Sequence, residues 1–319
     1  MPHSEIIKEA IKEITDKCTG IKVYFVNELN EVFDSDIDNN ILDDYRKSFV
    51  ENLEANYVKN DNFTSPNLSA SDGRSNALYK FDFKNTDMPF EFSLLKKVNE
   101  LKPNEALPMY QVRINGLNKL RGYIIRLRNS AGKVMSFYQY IHHSAMVTPK
   151  KGAFLTVHDS RVVKLEHDVL RLGERFVVSL IDDIYLIANV KALEKELAFD
   201  KVIHARAIQY CTALSDSNLV ENLDKFSLRI KNETAFARKF VKIYKNSAVI
   251  EQKLLSEDVI KFAMSKDFYK KGLKLSEDES QFDLNSITRC NNFLTLLDDD
   301  FLKSELTQQN YIAKAKDRA

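Results

Sequence analysis

The stretch LRGYIIRLRNSAGKVMSFYQY, Leu120–Tyr140, decides how the middle of this chain is read. It reads as two strands joined at Ser130-Ala131-Gly132, a short polar turn with glycine where the backbone must reverse. Alternation puts Tyr123, Ile125 and Leu127 on one face and Ile124, Arg126 and Arg128 on the other. A half-buried antiparallel strand would turn the first set inward and both arginines outward. Lys133 follows the turn, and Lys119 and Arg121 extend the positive strip towards the preceding loop. Cations held in a row on a sheet can meet successive phosphates, arginine with a planar fork of donors. Tyr138 or Tyr140, if outward, can stack on bases. The same pattern also suits an ordinary hairpin whose cations face water and keep an edge unpaired. Both readings stay open at this point.

On the N-terminal side, Ile6, Ile7, Ala10, Ile11 and Ile14 recur at helical spacing after Ser4, a capping residue. A strand is expected at Ile21–Val26 and a helix at Ile41–Val58. A loop follows over Asp61–Ser75, then partial strand alternation in ALYKFDF and a helix at Phe90–Leu101. From Met109 the period shifts towards two. MYQVRI, LRGYIIRLR, KVMSFYQYI, GAFLTVH, RVVKLEH, RFVVSLI and IYLIANV are strand candidates, several of them too closely spaced for helical crossovers and therefore antiparallel. Helices are expected again at Ala192–Leu214, Glu233–Tyr244, Glu257–Tyr269, Ser286–Leu297 and Asp300–Leu306. The fold class is α+β, with an N-terminal mixed helical and strand region (1–108), a central antiparallel β-rich unit (109–190) and a C-terminal mostly helical region (191–319).

With 319 residues, 44% hydrophobic and 29% charged, the chain is globular in composition. The formal net charge of +1 conceals a polarity. Residues 27–61 carry ten acidic and three basic side chains, whereas residues 113–175 carry twelve basic and four acidic ones. Local potential, not the total, steers a polyanion. A second basic cluster lies in ETAFARKFVKIYK, Glu233–Lys245, where Arg238, Lys242 and Lys245 share one helical side with Lys239 beside them. Ala235, Phe236, Phe240, Ile243 and Tyr244 supply its apolar side. Nothing here reads base sequence, so backbone-directed binding is the form the pattern supports.

Catalytic signatures are weak. His142-His143 point to opposite faces of a strand, and the His158-Asp159 and His167-Asp168 neighbours form no relay. Asp182-Asp183 and Asp298-Asp299-Asp300 supply carboxylates, but a two-metal nuclease needs them converging from several elements. The chain contains no GxxxxGK[ST] loop, GxGxxG fingerprint or HExxH pair. Cys18, Cys211 and Cys290 form no CxxC motif and suit buried, reduced thiols in a cytosolic protein. No catalytic set, metal site or cofactor is therefore assigned. No apolar run reaches the length of a membrane span, and no secretory signal is expected.

The segments VLRLGERFVVSLIDDIYLIANVKALEKELAFDKVI (Val169–Ile203) and FLTLLDDDFLKSELTQQNYIAKAKDRA (Phe293–Ala319) resemble the KwaB family, whose members are soluble components of the bacterial Kiwa anti-phage defence system. The first segment is similar to the family's strand-turn-strand passage into a helix. The second is similar to its leucine-rich terminal helix, acidic capping residues and basic tail, with Leu306, Thr307, Tyr311 and Lys316 at the matching positions. This resemblance implies a cytoplasmic DNA-binding protein, dimeric, working at the inner membrane beside a membrane-embedded Kiwa partner, KwaA, and impeding replication or expression of phage DNA. It carries no catalytic set. The nominated DNA contacts come instead from charge placement: Lys119, Arg121, Arg126, Arg128, Lys133, Arg238, Lys239, Lys242 and Lys245. The alternatives are a metal-dependent nuclease and a non-enzymatic adaptor for protein or membrane.

Overall fold

Ile7, Ile11 and Ile14 recur every three to four residues, and the segment that carries them is helix α1 (His3–Asp16). Ser4 does not cap it from outside; its hydroxyl accepts a hydrogen bond from Ser65 N at 2.9 Å. Strand β1 (Cys18–Asn27) runs longer than expected, followed by β2 (Val32–Asp34) and helix α2 (Asn39–Leu53), whose N-cap Asp38 accepts from Asn40 N. A π turn, Glu54–Val58, prolongs α2. Next come β3 (Tyr79–Lys80), α3 (Phe90–Glu100) and the short turn α4 (Val112–Asn115). The central hairpin is β4 (Leu120–Asn129) and β5 (Val134–Tyr140). Beyond it lie β6 (Met146–Val147), β7 (Leu155–His158), β8 (Arg161–Lys164), β9 (Val169–Leu170), β10 (Val178–Ile181), β11 (Ile184–Ile187) and α5 (Val190–Glu196).

This computed structural model describes residues 3–71, 74, 76–84, 87–102, 105–147, 154–158, 160–252, 254–299, 301–303 and 310–312. The chain divides into two compact units, one of Met1–Leu68 and Arg74–Leu197, the other of Ser69–Gly73 and Ala198–Ala319. The first is built on a seven-stranded sheet of order β2-β1-β4-β5-β10-β11-β3, antiparallel throughout. Residues on both sides of position 108 contribute to it. One face carries Val23, Phe25, Tyr123, Ile125, Leu127, Met135 and Phe137, which join Ile7, Ile11, Ile14, Phe49 and Leu53 of α1 and α2 in one core. Phe137 meets Phe49 at 5.0 Å and Phe176 at 4.9 Å, edge to face, a geometry that favours the ring quadrupoles. Helix α3 covers the opposite face. Phe92 stacks on Tyr185 at 4.5 Å, and Asn99 donates to Leu180 O at 3.4 Å. Adjacent Ile124 and Ile125 are therefore both buried. This strand has no solvent side along its middle.

Two expectations are corrected along this part of the chain. MYQVRI is not a strand: Met109 makes a single bridge to Asp34, and Val112–Asn115 form a helical turn closed by Gly116 at φ 73°. Only Tyr110 is anchored there, its ring edge-on to Phe25 and Phe33, so alternation along the segment has nothing to pack against. Within GAFLTVH and RVVKLEH the expected strands form as β7 and β8, paired antiparallel with each other as a two-stranded sheet. The helix expected over Ala192–Leu214 is broken at Ala198, which adopts a left-handed conformation at φ 55°.

The second unit contains α6 (Phe199–Ser215), β12 (Val220–Asn222), α7 (Asp224–Asn232), α8 (Thr234–Asn246), α9 (Ala248–Glu251), α10 (Ser256–Met264), α11 (Asp267–Gly272), β13 (Phe282–Asp283) and α12 (Ile287–Leu297). Phe226 centres its core, with Phe236 at 5.0 Å, Phe240 at 4.9 Å and Phe293 at 6.4 Å. The helix expected at Ser286–Leu297 forms as α12, and Ser286 caps it by accepting from Arg289 N. The single helix expected over Glu257–Tyr269 is two helices, α10 and α11. The terminal helix expected at Asp300–Leu306 is also corrected: Phe301–Lys303 is strand β14, paired antiparallel with β15 (Asn310–Ile312), while Asp300 and 304–306 lie outside the described residues.

Gly122 tests how tightly the covered face is packed. A Cβ there would lie 2.6 Å from the Tyr138 hydroxyl and 2.8 Å from Gln139 O, whereas one on Gly20 would meet nothing within 4 Å. Gly122→Ala is expected to cost about 1–3 kcal/mol by overpacking, read as a lower urea midpoint. Gly20→Ala should change the midpoint little.

Candidate nucleic-acid interface

The β4–β5 turn forms as its residues dictate. Asn129 Oδ1 accepts from Ala131 N at 3.1 Å and Lys133 N at 2.9 Å, and Gly132 takes φ 87°. Arg128, on β4 just before this turn, is exposed, as is Lys119 in the turn that precedes β4. The cations between them are differently placed.

Arg121 is the extra residue of a bulge, since Val26 pairs with Gly122 and Asn27 with Leu120. Its Nη2 lies 2.6 Å from Glu91 Oε1 in the first turn of α3, and its Nη1 donates to Asn30 Oδ1 at 2.7 Å. The Glu91 contact is an ion pair without a well-directed hydrogen bond to Oε1. Burial pushes the Glu91 carboxyl above its usual range, opposed by its own backbone amide and by Arg121.

Arg126 was expected to face solvent; that expectation is corrected. Its Nη2 donates to Leu101 O at 2.8 Å and Asn99 O at 3.3 Å, carbonyls at the C-terminal end of α3. That end carries the negative pole of the helix dipole, which a guanidinium complements. Arg121 and Arg126 thus hold α3 at its two ends. Lys133 is likewise engaged, with Nζ at 2.7 Å from Asp182 Oδ2 and 3.1 Å from Glu13 Oε2. The anionic partners of Arg121 and Lys133 all lie outside residues 27–61. Several carboxylates of that acidic stretch have local roles, Asp43 with Arg46, Asp44 with Lys47 and Glu54 with Lys59.

In the second unit the cations gather on α7 and α8. Residues 224–246 contain seven basic and two acidic side chains. One acid, Glu233, is gripped by Arg229 through Nε at 2.9 Å and Nη2 at 2.7 Å, which holds its carboxyl below the usual range. The same guanidinium lies 3.8 Å from the Phe236 ring centroid. Glu233 is thereby matched to one arginine. Phe236, Phe240 and Ile243 are buried as the amphipathic pattern predicts, and Tyr244 stacks on Tyr210 at 4.5 Å. Ala235, placed on the apolar side by the sequence, is exposed. Lys239 and Lys245 are exposed, and Arg238 and Lys242 are half-buried. Sequence analysis missed Lys225 and Lys231, because it placed no helix at α7. The signal was present in the four-residue spacing of Phe226 and Ile230.

Among the described residues, no three His, Cys, Asp or Glu side chains converge as a metal site. His142 and His167 are exposed, and the side chains of His143 and His158 lie outside the described set. Asp182 and Asp183 form the β10–β11 turn at φ 47° and 60°. The cysteines are free, and burial raises each thiol, which disfavours the nucleophilic thiolate.

An antiparallel sheet covered on both faces, joined to a helical unit with a basic helix pair, is the architecture that known proteins can now be set against. Residues 117–307 match the family model described as Kiwa protein KwaB-like. Over 314 residues, 98% of each chain, the sequence is 30% identical to the Kiwa protein KwaB of Escherichia coli O55:H7 (strain RM12579 / EPEC). No solved structure matches. The chain belongs to the KwaB-like family of Kiwa proteins and is therefore a Kiwa anti-phage defence component.

The clamp on α3 sets a stability test. Arg121→Met leaves Glu91 buried without its cation and is expected to cost about 3 kcal/mol at neutral pH. The Glu91 carboxyl is already raised in the folded state, so it binds protons more readily there than in the unfolded chain. Removing Arg121 raises it further. The deficit should therefore shrink as pH falls through the folded value, as read by urea unfolding at a series of pH values. A deficit independent of pH would mean that Glu91 does not carry it.

Proposed function

We propose that this chain is a DNA-binding effector of Kiwa defence. It grips the phosphate backbone largely without sequence preference and impedes phage DNA replication or transcription in concert with a membrane-embedded partner, KwaA. The observation that carries this reading is the α7–α8 pair, whose buried phenylalanines fix the helices while Lys231, Lys239 and Lys245 stay exposed. Fixed cations bind a polyanion with less ordering cost than flexible ones. Of the five contacts nominated in the first unit, Lys119 and Arg128 are exposed; Arg121, Arg126 and Lys133 have intramolecular partners to give up before they could meet phosphate.

On this reading a homodimer doubles the cationic surface and raises the effective concentration of one site for the next. No described helix is long and apolar enough to cross a membrane; on this reading KwaA supplies the tether. The protein remains at the inner membrane through that contact and otherwise stays in the cytoplasm.

DNA retention measured across a salt series, with and without Mg²⁺, tests the proposal. Retention without cleavage products is expected. Neutralising Lys239, Lys242 and Lys245 to Gln together should reduce the magnitude of the slope of log affinity against log salt by about 2–3, since each phosphate contact contributes about 0.9. An unchanged slope would remove α8 from the interface. Products that require Mg²⁺ would replace blocking by nuclease action.

A further inference from the structure

Helices α10 and α11 carry a surface that the phosphate-gripping helices do not explain. Phe262 is 39% exposed and Phe268 is 41% exposed, although both belong to well-formed helices. Both rings rest against the same buried Tyr269, Phe268 at 5.1 Å and Phe262 at 6.4 Å between centroids. Tyr269 donates its hydroxyl to Thr295 O at 3.3 Å, which ties the trio to α12. The rings are thus fixed in place with large areas open to water. An exposed phenylalanine held rigid has already paid the side-chain entropy of binding.

The charge around them is mostly positive. Residues 261–274 contain Lys261, Lys266, Lys270, Lys271 and Lys274 against the single acid Asp267. Lys261, Lys270 and Lys271 are exposed, and Lys266 Nζ stands 5.3 Å from the Phe262 ring centroid. Glu257 and Asp258 bound the surface at the first turn of α10. Flat apolar rings interleaved with ammonium groups complement a chain of π-faced bases on a phosphate backbone. A duplex hides its base faces by stacking, so only an unpaired strand can use the rings.

We propose that α10 and α11 form a binding site for single-stranded nucleic acid, with Phe262 and Phe268 stacking on bases and Lys261, Lys266, Lys270 and Lys271 tracking the phosphates. The inference rests on the nucleic-acid reading above and names its strand form. It gives the chain a means of favouring unwound DNA, the substrate of replication, over intact duplex.

The test uses the full-length chain with oligo-dT, oligo-rU and a duplex of equal nucleotide length, followed by fluorescence anisotropy at fixed salt. Oligo-dT or oligo-rU should displace the duplex, and comparing the two separates DNA from RNA. Phe262→Leu with Phe268→Leu keeps apolar bulk and removes the rings; single-strand affinity should fall about tenfold per ring while duplex affinity holds. Phe262→Tyr with Phe268→Tyr keeps the rings and should restore it. Photocrosslinking of bromouridine-substituted strands to the unaltered protein, mapped by mass spectrometry, should mark peptides of residues 261–271 and so does not depend on a variant folding. Equal loss for strand and duplex, or crosslinks elsewhere, overturns this site and leaves duplex binding standing. Failure of the unaltered chain to retain any nucleic acid overturns both readings.

Discussion

Burial of β4 on both faces is the constraint from which the first unit follows. A strand with one wet face can carry arginines outward at little cost. A strand roofed by α3 cannot, because each charge on that side must find a partner or lose its hydration unpaid. Arg126 reaches the α3 carbonyls, and Arg121, re-aimed by a bulge, reaches Glu91. Two of the cations nominated as phosphate ligands became the fastenings of the roof. The cations left exposed lie where the roof does not extend, at Lys119 before the strand and Arg128 near its end.

The same constraint separates what was legible in the sequence from what was not. Local patterns read correctly because their partners are close in the chain. The isoleucines of α1, the helix α12 and the turn at Ser130-Ala131-Gly132 are all of this kind. The alternation of β4 was also read correctly, yet the inference drawn from it held for exposed Arg128 and failed for Arg126. Period two tells which residues share a face; it does not tell that α3, some thirty residues earlier, covers the face with the arginines. Ile124 beside Ile125 was the available hint, since consecutive apolar residues fit a strand buried on both sides. The break at Ala198 is illegible for another reason, because nothing in a good helix former announces a left-handed φ.

Electrostatics repeats the lesson at larger scale. A near-zero total was read as masking an acidic N-terminal stretch and a basic middle, and both compositions are real. The basic middle is partly consumed by Glu13, Glu91 and Asp182, although Arg113, Lys119, Arg128, Arg161, Lys164, Arg171 and Arg175 stay exposed, and α7 and α8 of the second unit expose Lys231, Lys239 and Lys245. There Arg229 takes up Glu233, and α8 buries Phe236, Phe240 and Ile243 while Lys239 is exposed. On β4, by contrast, Arg121 and Arg126 themselves fasten the covering helix. This difference in what secures each element, more than the count of cations, favours α8 over β4 as a surface for a polyanion.

The extent of the family match bears on the same point. It begins at residue 117, just before β4, and runs into the second unit, whereas the similarity to the Escherichia coli protein covers almost the whole chain. A piece starting at 117 would lack β1, the neighbour of β4 in the sheet, and α3, whose end accepts from Arg126. Its β4 would present an open edge, and the face now roofed would be wet and cationic. The segment before 117 is therefore a structural part of the matched region, and it determines which of that region's arginines a ligand can meet.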